Sequence, residues 1–516
     1  MNPSTDEIPG IDPDHDQPGR AVSSAVVIGG ILLISLLWGS ALATGVLPHG
    51  ESPSAPTGAH GDKEKKDLPP PIWSTAPFVL LLGAIAMLPL LGATEHWWES
   101  NLHRFYVAGC LALATILYYF FLNAAHGGVD GIALVLRHAI VEEYIPFIVL
   151  LFSLFVISGG IRISGDLQAT PANNTLFLAA GTLLASFVGT TGAAMILIRP
   201  VLETNSERKH VAHTVVFFIF LVCNCGGCLL PIGDPPLFLG YLQGVPFLWT
   251  LENLWAPWLV TNAILLTIYY AWDRIYAYPS ETAYDLAQDS ERVRTLTVEG
   301  LAVNLPILAG VVLAVALLDP SKSIPYTTWQ PWPYLREVVQ LGLAGLSLAL
   351  GQREVRERNQ FNYNPIIEVA VLFVGIFITM QPALSILRAY GNDLGISSPF
   401  AFFWASGGLS AVLDNAPTYL VFFETADVQF AGDDLTELIH QDSPTAKLAN
   451  QKLIGISLGA VFLGAMTYIG NGPNFMVRAI AEESGIKMPT FFGFCAYSFC
   501  VLLPVFALVS FLFLNQ

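Results

Sequence analysis

Apolar stretches about 20 residues long recur throughout this chain, each able to cross roughly 30 Å of hydrocarbon as a helix. Such a pattern excludes folds whose only solvent is water. Eleven spans are predicted, near 22–46, 72–94, 105–123, 141–160, 211–243, 255–272, 297–318, 334–350, 363–387, 451–480 and 489–514. Two more apolar segments, 173–199 and 397–424, are interrupted by small and polar residues and are expected to be re-entrant hairpins. Of the 516 residues 53% are hydrophobic and only 12% charged, which fits a chain dissolved mostly in lipid. The expected fold class is an all-α polytopic membrane protein.

The net charge of −17 argues against nucleic acid and against a polybasic lipid-binding surface. All six cysteines lie in apolar spans, so they do not describe a disulfide framework. The first span ends in Ala41-Leu42-Ala43, as a signal peptide does. Its leader is acidic rather than basic, and it is read as an uncleaved helix. Starting with the N-terminus inside and crossing at each span puts fourteen Lys and Arg inside and nine outside, with the C-terminus outside. The inner set includes Arg104, Arg162, Arg199, Arg208 and Arg478, as the positive-inside rule asks of an inner (cytoplasmic) membrane protein.

Internal similarity then sets the expected architecture. Val188-Gly-Thr-Thr-Gly-Ala-Ala-Met195 interrupts the first hairpin, and Val412-Leu-Asp-Asn-Ala-Pro-Thr-Tyr419 interrupts the second. Downstream, Ile232-Gly-Asp-Pro-Pro-Leu-Phe238 is echoed by Ile469-Gly-Asn-Gly-Pro-Asn-Phe475. The predicted organisation is an acidic tail, extra helix and outer loop over 1–71, a first repeat over 72–275, an inner linker over 276–296 and a second repeat over 297–516. Each repeat holds five spans and one hairpin, and an odd number of spans inverts one repeat relative to the other. Broken helices are expected near 211–243 and 451–480. A break inside lipid strands backbone polar groups unless it faces protein or a watery cavity, so paired breaks point to a transporter's central site.

The residues at those breaks are oxygen donors suited to a hard cation such as sodium. Asp414 and Asn415 are the sharpest candidates, since placing an Asp in a membrane span costs about 2.5–3.5 kcal/mol on insertion scales and calls for a use. A proton and a cation competing for one carboxylate is the simplest route to exchange. Asp234 and Asn224 are the candidates of the first broken helix, Asn471 and Asn474 those of the second. Thr190 and Thr191 offer hydroxyls, either to the solute or to the local backbone. Glu143 and Glu368 are candidates for proton coupling, or else acids near span ends that reach out to water. A sodium ion is expected at Asp414, Asn415 and Asp234. Cys223, Cys225 and Cys228 are read as packing residues, because no further metal ligands accompany them. His210 and His213 are placed at the surface.

With these residues in view, the chain resembles the NhaD-type sodium/proton antiporters of the ion transporter superfamily, a group that includes arsenite permeases and citrate or dicarboxylate carriers. Asn224-x-Gly-Gly-x-x-x-Pro-Ile-Gly-Asp234 is similar to the interrupted-helix motif of that family, and Ser410-Ala-Val-Leu-Asp-Asn-Ala-Pro417 to its second-hairpin motif. Glu368 is similar to the acidic start of the preceding helix. The resemblance covers roughly 75–516 and implies a scaffold, a moving transport unit and a homodimer in lipid. No cofactor is expected; Na+ or Li+ and H+ are the transported species. Where the antiporters carry Asp-Asn in the first hairpin this chain has Thr190-Thr191, and Pro235-Pro236 replaces hydroxyl residues. Losing a carboxylate suits an anion accompanied by cations, so a citrate-like organic-anion carrier is the alternative expectation, with an oxyanion permease third and an ion channel as the rival class. An enzyme is disfavoured, because the acids sit at repeat-related breaks and not as a catalytic pair on continuous helices.

Overall fold

In the computed structural model, residues 69–122, 128–291, 293–320, 322–323, 327–430 and 434–515 are described. The expected first span, 22–46, lies outside them. Six helices among these residues are long and apolar enough to cross a membrane, or seven if one bent pair is a single span. Ten of the eleven expected spans fall among the described residues, so fewer qualify than expected. The difference arises because several apolar runs are short helices or are broken by Gly, Pro and Asn.

The order of elements occurs twice. The first set is α1 (Ala76–Met87), α2 (Asn101–Phe121), the span Gly131–Ser158 that ends in α3 (Ile145–Ser158), the pair α4 (Pro171–Val188) and α5 (Thr190–Thr204), the broken helix α6 (Ala212–Leu221) and α7 (Pro235–Leu242), and α8 (Trp249–Trp272). The second is α9 (Leu301–Leu317), α10 (Leu335–Leu350), α11 (Asn364–Thr379) bent by 42° into α12 (Gln381–Tyr390), the pair α13 (Pro399–Ser410) and α14 (Asn415–Asp427), the broken helix α15 (Pro444–Leu463) and α16 (Gly472–Glu483), and α17 (Phe491–Leu514). A small antiparallel sheet, unforeseen from the sequence, pairs β1 (Arg162–Asp166) with β2 (Arg294–Glu299) and so ties the loop after α3 to the strand that leads into α9.

The helix pairs and broken helices form the core, and lipid-type exposure of large apolar side chains is found on the outer helices, as at Leu113, Leu305 and Phe511. Every residue from Thr214 to Ile232 is buried. Tight approach there depends on small residues. A Cβ added to Gly227 would lie 2.7 Å from Thr190 Cγ2 and 2.9 Å from the Gly233 carbonyl oxygen. At the tip of the first pair Gly189 has φ 82°, a left-handed turn open to glycine at no steric cost.

The base of the first pair is also polar and buried. Arg208 donates to both carboxylate oxygens of Asp273, at 3.1 and 2.5 Å, and His213 Nε2 lies 3.1 Å from Asp273. His213 is thus buried in a network and not at the surface, because an aspartate on α8's extension faces it. The Glu143 span begins at Gly131 and not near 141, so Glu143 falls in its interior and is 3% exposed.

Candidate functional site

Four breaks supply the ends of helices to one region, and three of the residues that begin the emerging helices are the ones singled out by motif. Asp234 precedes α7 with φ −146° and ψ 142°, and Asn471 precedes α16 with φ −153° and ψ 139°. The two broken helices therefore restart in the same backbone geometry. Asp414 precedes α14 and accepts a hydrogen bond from the Ala416 N–H at 3.0 Å, an N-cap of the kind short acidic side chains favour. In the first pair Gly189 precedes α5, and Thr190 is the first residue of the helix.

The carboxylate of Asp234, 1% exposed, is the hub. Thr190 Oγ1 donates to its Oδ1 at 2.9 Å, Asn471 Nδ2 to the same oxygen at 3.0 Å, and Asn415 Nδ2 to Oδ2 at 2.7 Å. One acid thus joins the first hairpin, the second hairpin and the second broken helix. Asn224 and Asn474 form a second tie, Asn224 Nδ2 donating to Asn474 Oδ1 at 2.7 Å, while Asn474 Nδ2 donates to the Gly464 and Thr467 carbonyls at 2.9 Å. Other carbonyls freed by the breaks are met by Asn471 (Cys223 O, 2.9 Å), Ser186 (Gly226 O, 2.5 Å), Ser410 (Ala460 O, 2.7 Å) and Thr467 (Ala411 O, 2.6 Å). These donors satisfy backbone groups that would otherwise be stranded away from water.

Two amide oxygens, Asn224 Oδ1 and Asn415 Oδ1, are buried without a hydrogen-bond partner. Asn415 turns its nitrogen toward Asp234 and leaves its oxygen unused. The oxygens at Asp234, Asp414 and Asn415 therefore fit a cation as cargo by their chemistry. No group of three or more His, Cys, Asp or Glu that could hold a metal ion occurs among the described residues.

Beside the hub lies a cavity of about 350 Å³ whose wall includes Thr190, Thr191, Asp414 and Asn471. Toward its other end stand Arg104 and Glu368, joined at 2.9 Å, with Trp98 alongside. The Glu368 side chain is 40% exposed, in keeping with an acid near a helix start. The cavity shares Phe155, Pro365 and Met476 with a second one of about 310 Å³ that is bordered by Arg199, Asn359 and Gln360. Asn224, Asn474, Asp234 and Asn415 do not line the first cavity; Asp414 is the acid of the hub region that does.

A family model described as “Putative citrate transport” matches residues 66–514. The chain belongs to that family. It is a multi-pass membrane protein of a transporter family, and the described helices agree with that. No curated protein matches the sequence.

For a member of this transporter family, several buried or paired polar groups are not singled out by sequence. Arg104 counted only as one of the positive charges at a span end. Its own helix, α2, carries no acid, and Glu368 is 264 residues away in the chain, so spacing alone does not pair them. Away from the cavity, Gln243, Gln381 and the pair of half-exposed Arg388 with buried Glu424, with N–O distances of 2.8 and 2.6 Å, are likewise not singled out by sequence. A polar residue next to a helix break is the signal that marks Gln381, since the 42° bend directly precedes it. Cys223, Cys225 and Cys228 are buried free thiols within the packed core, as the packing reading requires.

Proposed function

We propose that this protein is a secondary active transporter that exchanges sodium or lithium for protons across the inner membrane, with Asp414 as the residue for which cation and proton compete. The observation that carries this reading is the charge balance of the site. Each break brings one helix C-terminus and one helix N-terminus to the same place, and their opposite partial charges offset one another. Two aspartates, Asp234 and Asp414, remain as the local excess. Arg104, the basic residue of the cavity wall, is already matched by Glu368. A site of net negative charge recruits a cation. Asp234, held by three donors, shapes the site, and Asp414, with one backbone donor and a face on the cavity, is the group free to exchange partners.

The repeated order of elements and the matched restart at Asp234 and Asn471 support two inverted repeats, with 72–275 and 297–516 as halves and the α4–α5 and α13–α14 pairs as re-entrant hairpins. A homodimer with the N-terminus inside and the C-terminus outside completes the reading. The family description and the cavity volume favour a second one, a cation-coupled carrier of citrate or a similar organic anion, in which Arg104 leaves Glu368 to meet a carboxylate.

Purified protein in liposomes with a trapped pH dye separates the two. Under an imposed proton gradient, sodium or lithium is expected to collapse the gradient in the wild type and to have no effect in Asp414→Asn. A wild type indifferent to both cations rejects antiport, and uptake of labelled citrate driven by a sodium gradient then decides the second reading.

A further inference from the structure

Two distortions of otherwise regular helices meet at one buried carboxylate. The stretch Arg137–Tyr144 is a π-helix within the span Gly131–Ser158, a distortion often found at functional positions. The second is the bend between α11 and α12. Between them lies Glu143. Gln243 Nε2 donates to its Oε1 at 3.3 Å, Gln381 Nε2 donates to its Oε2 at 3.2 Å, and His138 Nδ1 stands 3.6 Å from Oε1.

The charges around it are spoken for. Arg388 of α12 is engaged by Glu424 of α14 at 2.6 Å, Arg137 by Glu142 at 3.0 Å, and Arg336 of α10 by Glu337 at 2.6 Å. Among the described residues no Arg or Lys nitrogen lies within ion-pair distance of Glu143. His138, with its side chain 35% exposed against 4% for Glu143, connects the acid to the surface.

This cluster is distinct from the hub. Glu143 precedes the cavity-lining Leu151 by eight residues, Gln243 follows the cavity-lining Pro235 by eight and Glu424 follows Asp414 by ten, so each stands roughly 12–15 Å along its helix from the cavity layer at 1.5 Å per residue. Between the two layers the rings of Phe147 and Phe373 stack at 4.8 Å and Phe377 closes on Phe147 at 5.6 Å. Phe373 is itself part of the cavity wall.

We propose that Glu143 is a second proton-binding site, on the far side of this aromatic wall from the cavity, loaded through His138 and read out by the amides of Gln243 and Gln381. The inference rests on the reading of the chain as a proton-coupled transporter. An imidazolium at His138 gives its proton to the Glu143 carboxylate and is left neutral, so charge and protons balance. The ionised acid accepts an N–H on each oxygen, as found. The protonated acid needs an acceptor for its new O–H, and a half-turn of either glutamine amide supplies one. Gln243 follows α7 and Gln381 opens α12, so the proton changes the contacts of both helices with the Glu143 span.

The test compares full-length wild type with Glu143→Gln, which keeps the volume and both amide neighbours. In pH-difference infrared spectra of the purified protein, the variant is expected to lack one carboxyl C=O band of the wild type. In liposomes it is expected to lose the pH dependence of cation-driven proton flux while retaining the sodium-induced rise in unfolding temperature. An unchanged infrared spectrum, or a wild-type pH profile of flux, overturns the proposal and leaves Glu143 a packing residue. If wild-type protein itself shows no cation-driven proton flux, the antiport reading is what fails, and the infrared band alone decides Glu143.

Discussion

Asp234 receives three side-chain donors that arrive on three different elements, and this makes Thr190 more than the tip of a hairpin. A hydrogen bond to a charged group contributes about 1.5–3 kcal/mol. Thr190→Val, similar in shape, removes one such bond and is expected to lower stability by about that amount, read as a lower midpoint of thermal unfolding in detergent. Thr190→Ser keeps the hydroxyl and should stay close to wild type. A Thr190→Val protein that unfolds with the wild type would show that the hydroxyl contributes nothing to the hub. Asp414 stands differently: its N-cap bond to Ala416 can be replaced by an asparagine oxygen, so Asp414→Asn is expected to fold normally and to fail only in exchange.

At the scale of elements, the breaks work because some glycines are there for closeness and others are not. A Cβ on Gly227 meets Thr190 and the Gly233 backbone, while nothing lies within 4 Å of one on Gly472. Gly227→Ala is therefore expected to cost about 1–3 kcal/mol, the usual penalty for overpacking, and Gly472→Ala to be tolerated. The yield of monodisperse protein after extraction compares the two, and equal yields would contradict the packing described for the break. Much of this was legible in the chain itself. The Asp-Asn of the second hairpin, the Gly-Asp and Gly-Asn of the broken helices and the small residues around them all announce places where a helix cannot continue. Periodicity could not show that Asn415 points its nitrogen at Asp234, nor that Asn224 pairs with Asn474 outside the cavity. Such contacts join residues 181 and 250 positions apart. Glu143 was misjudged for a plainer reason: the helix it belongs to begins before the apolar run does, at Gly131, so an acid read as terminal lies in the interior.

For the whole molecule, the cavity wall includes Arg104 and Phe373; through Phe155, Pro365 and Met476 the cavity adjoins the second one, bordered by Arg199 and Gln360, while Phe147 and Phe377 pack against Phe373 on the side of Glu143. The conformation described thus favours approach from the side of Arg104. In a background with Cys500 replaced by serine, a cysteine at Ile366 is expected to react with a membrane-impermeant thiol reagent from one face of oriented vesicles, the cytoplasmic one if the positive-inside assignment holds. Labelling from the opposite face alone would reverse the topology.

The pairing of β1 with β2 adds a consequence for how the polypeptide is held together. Arg162 through Asp166 lie against Arg294 through Glu299, and the Arg162 guanidinium donates to the Arg358 carbonyl, so the start of the second set of helices is fastened to the first by main-chain bonds as well as by the peptide linkage. Continuity of the chain between Glu291 and Arg294 is then redundant. Two separately translated fragments cut at that point would still find each other through the clasp, and the working unit would be a noncovalent heterodimer of its own halves.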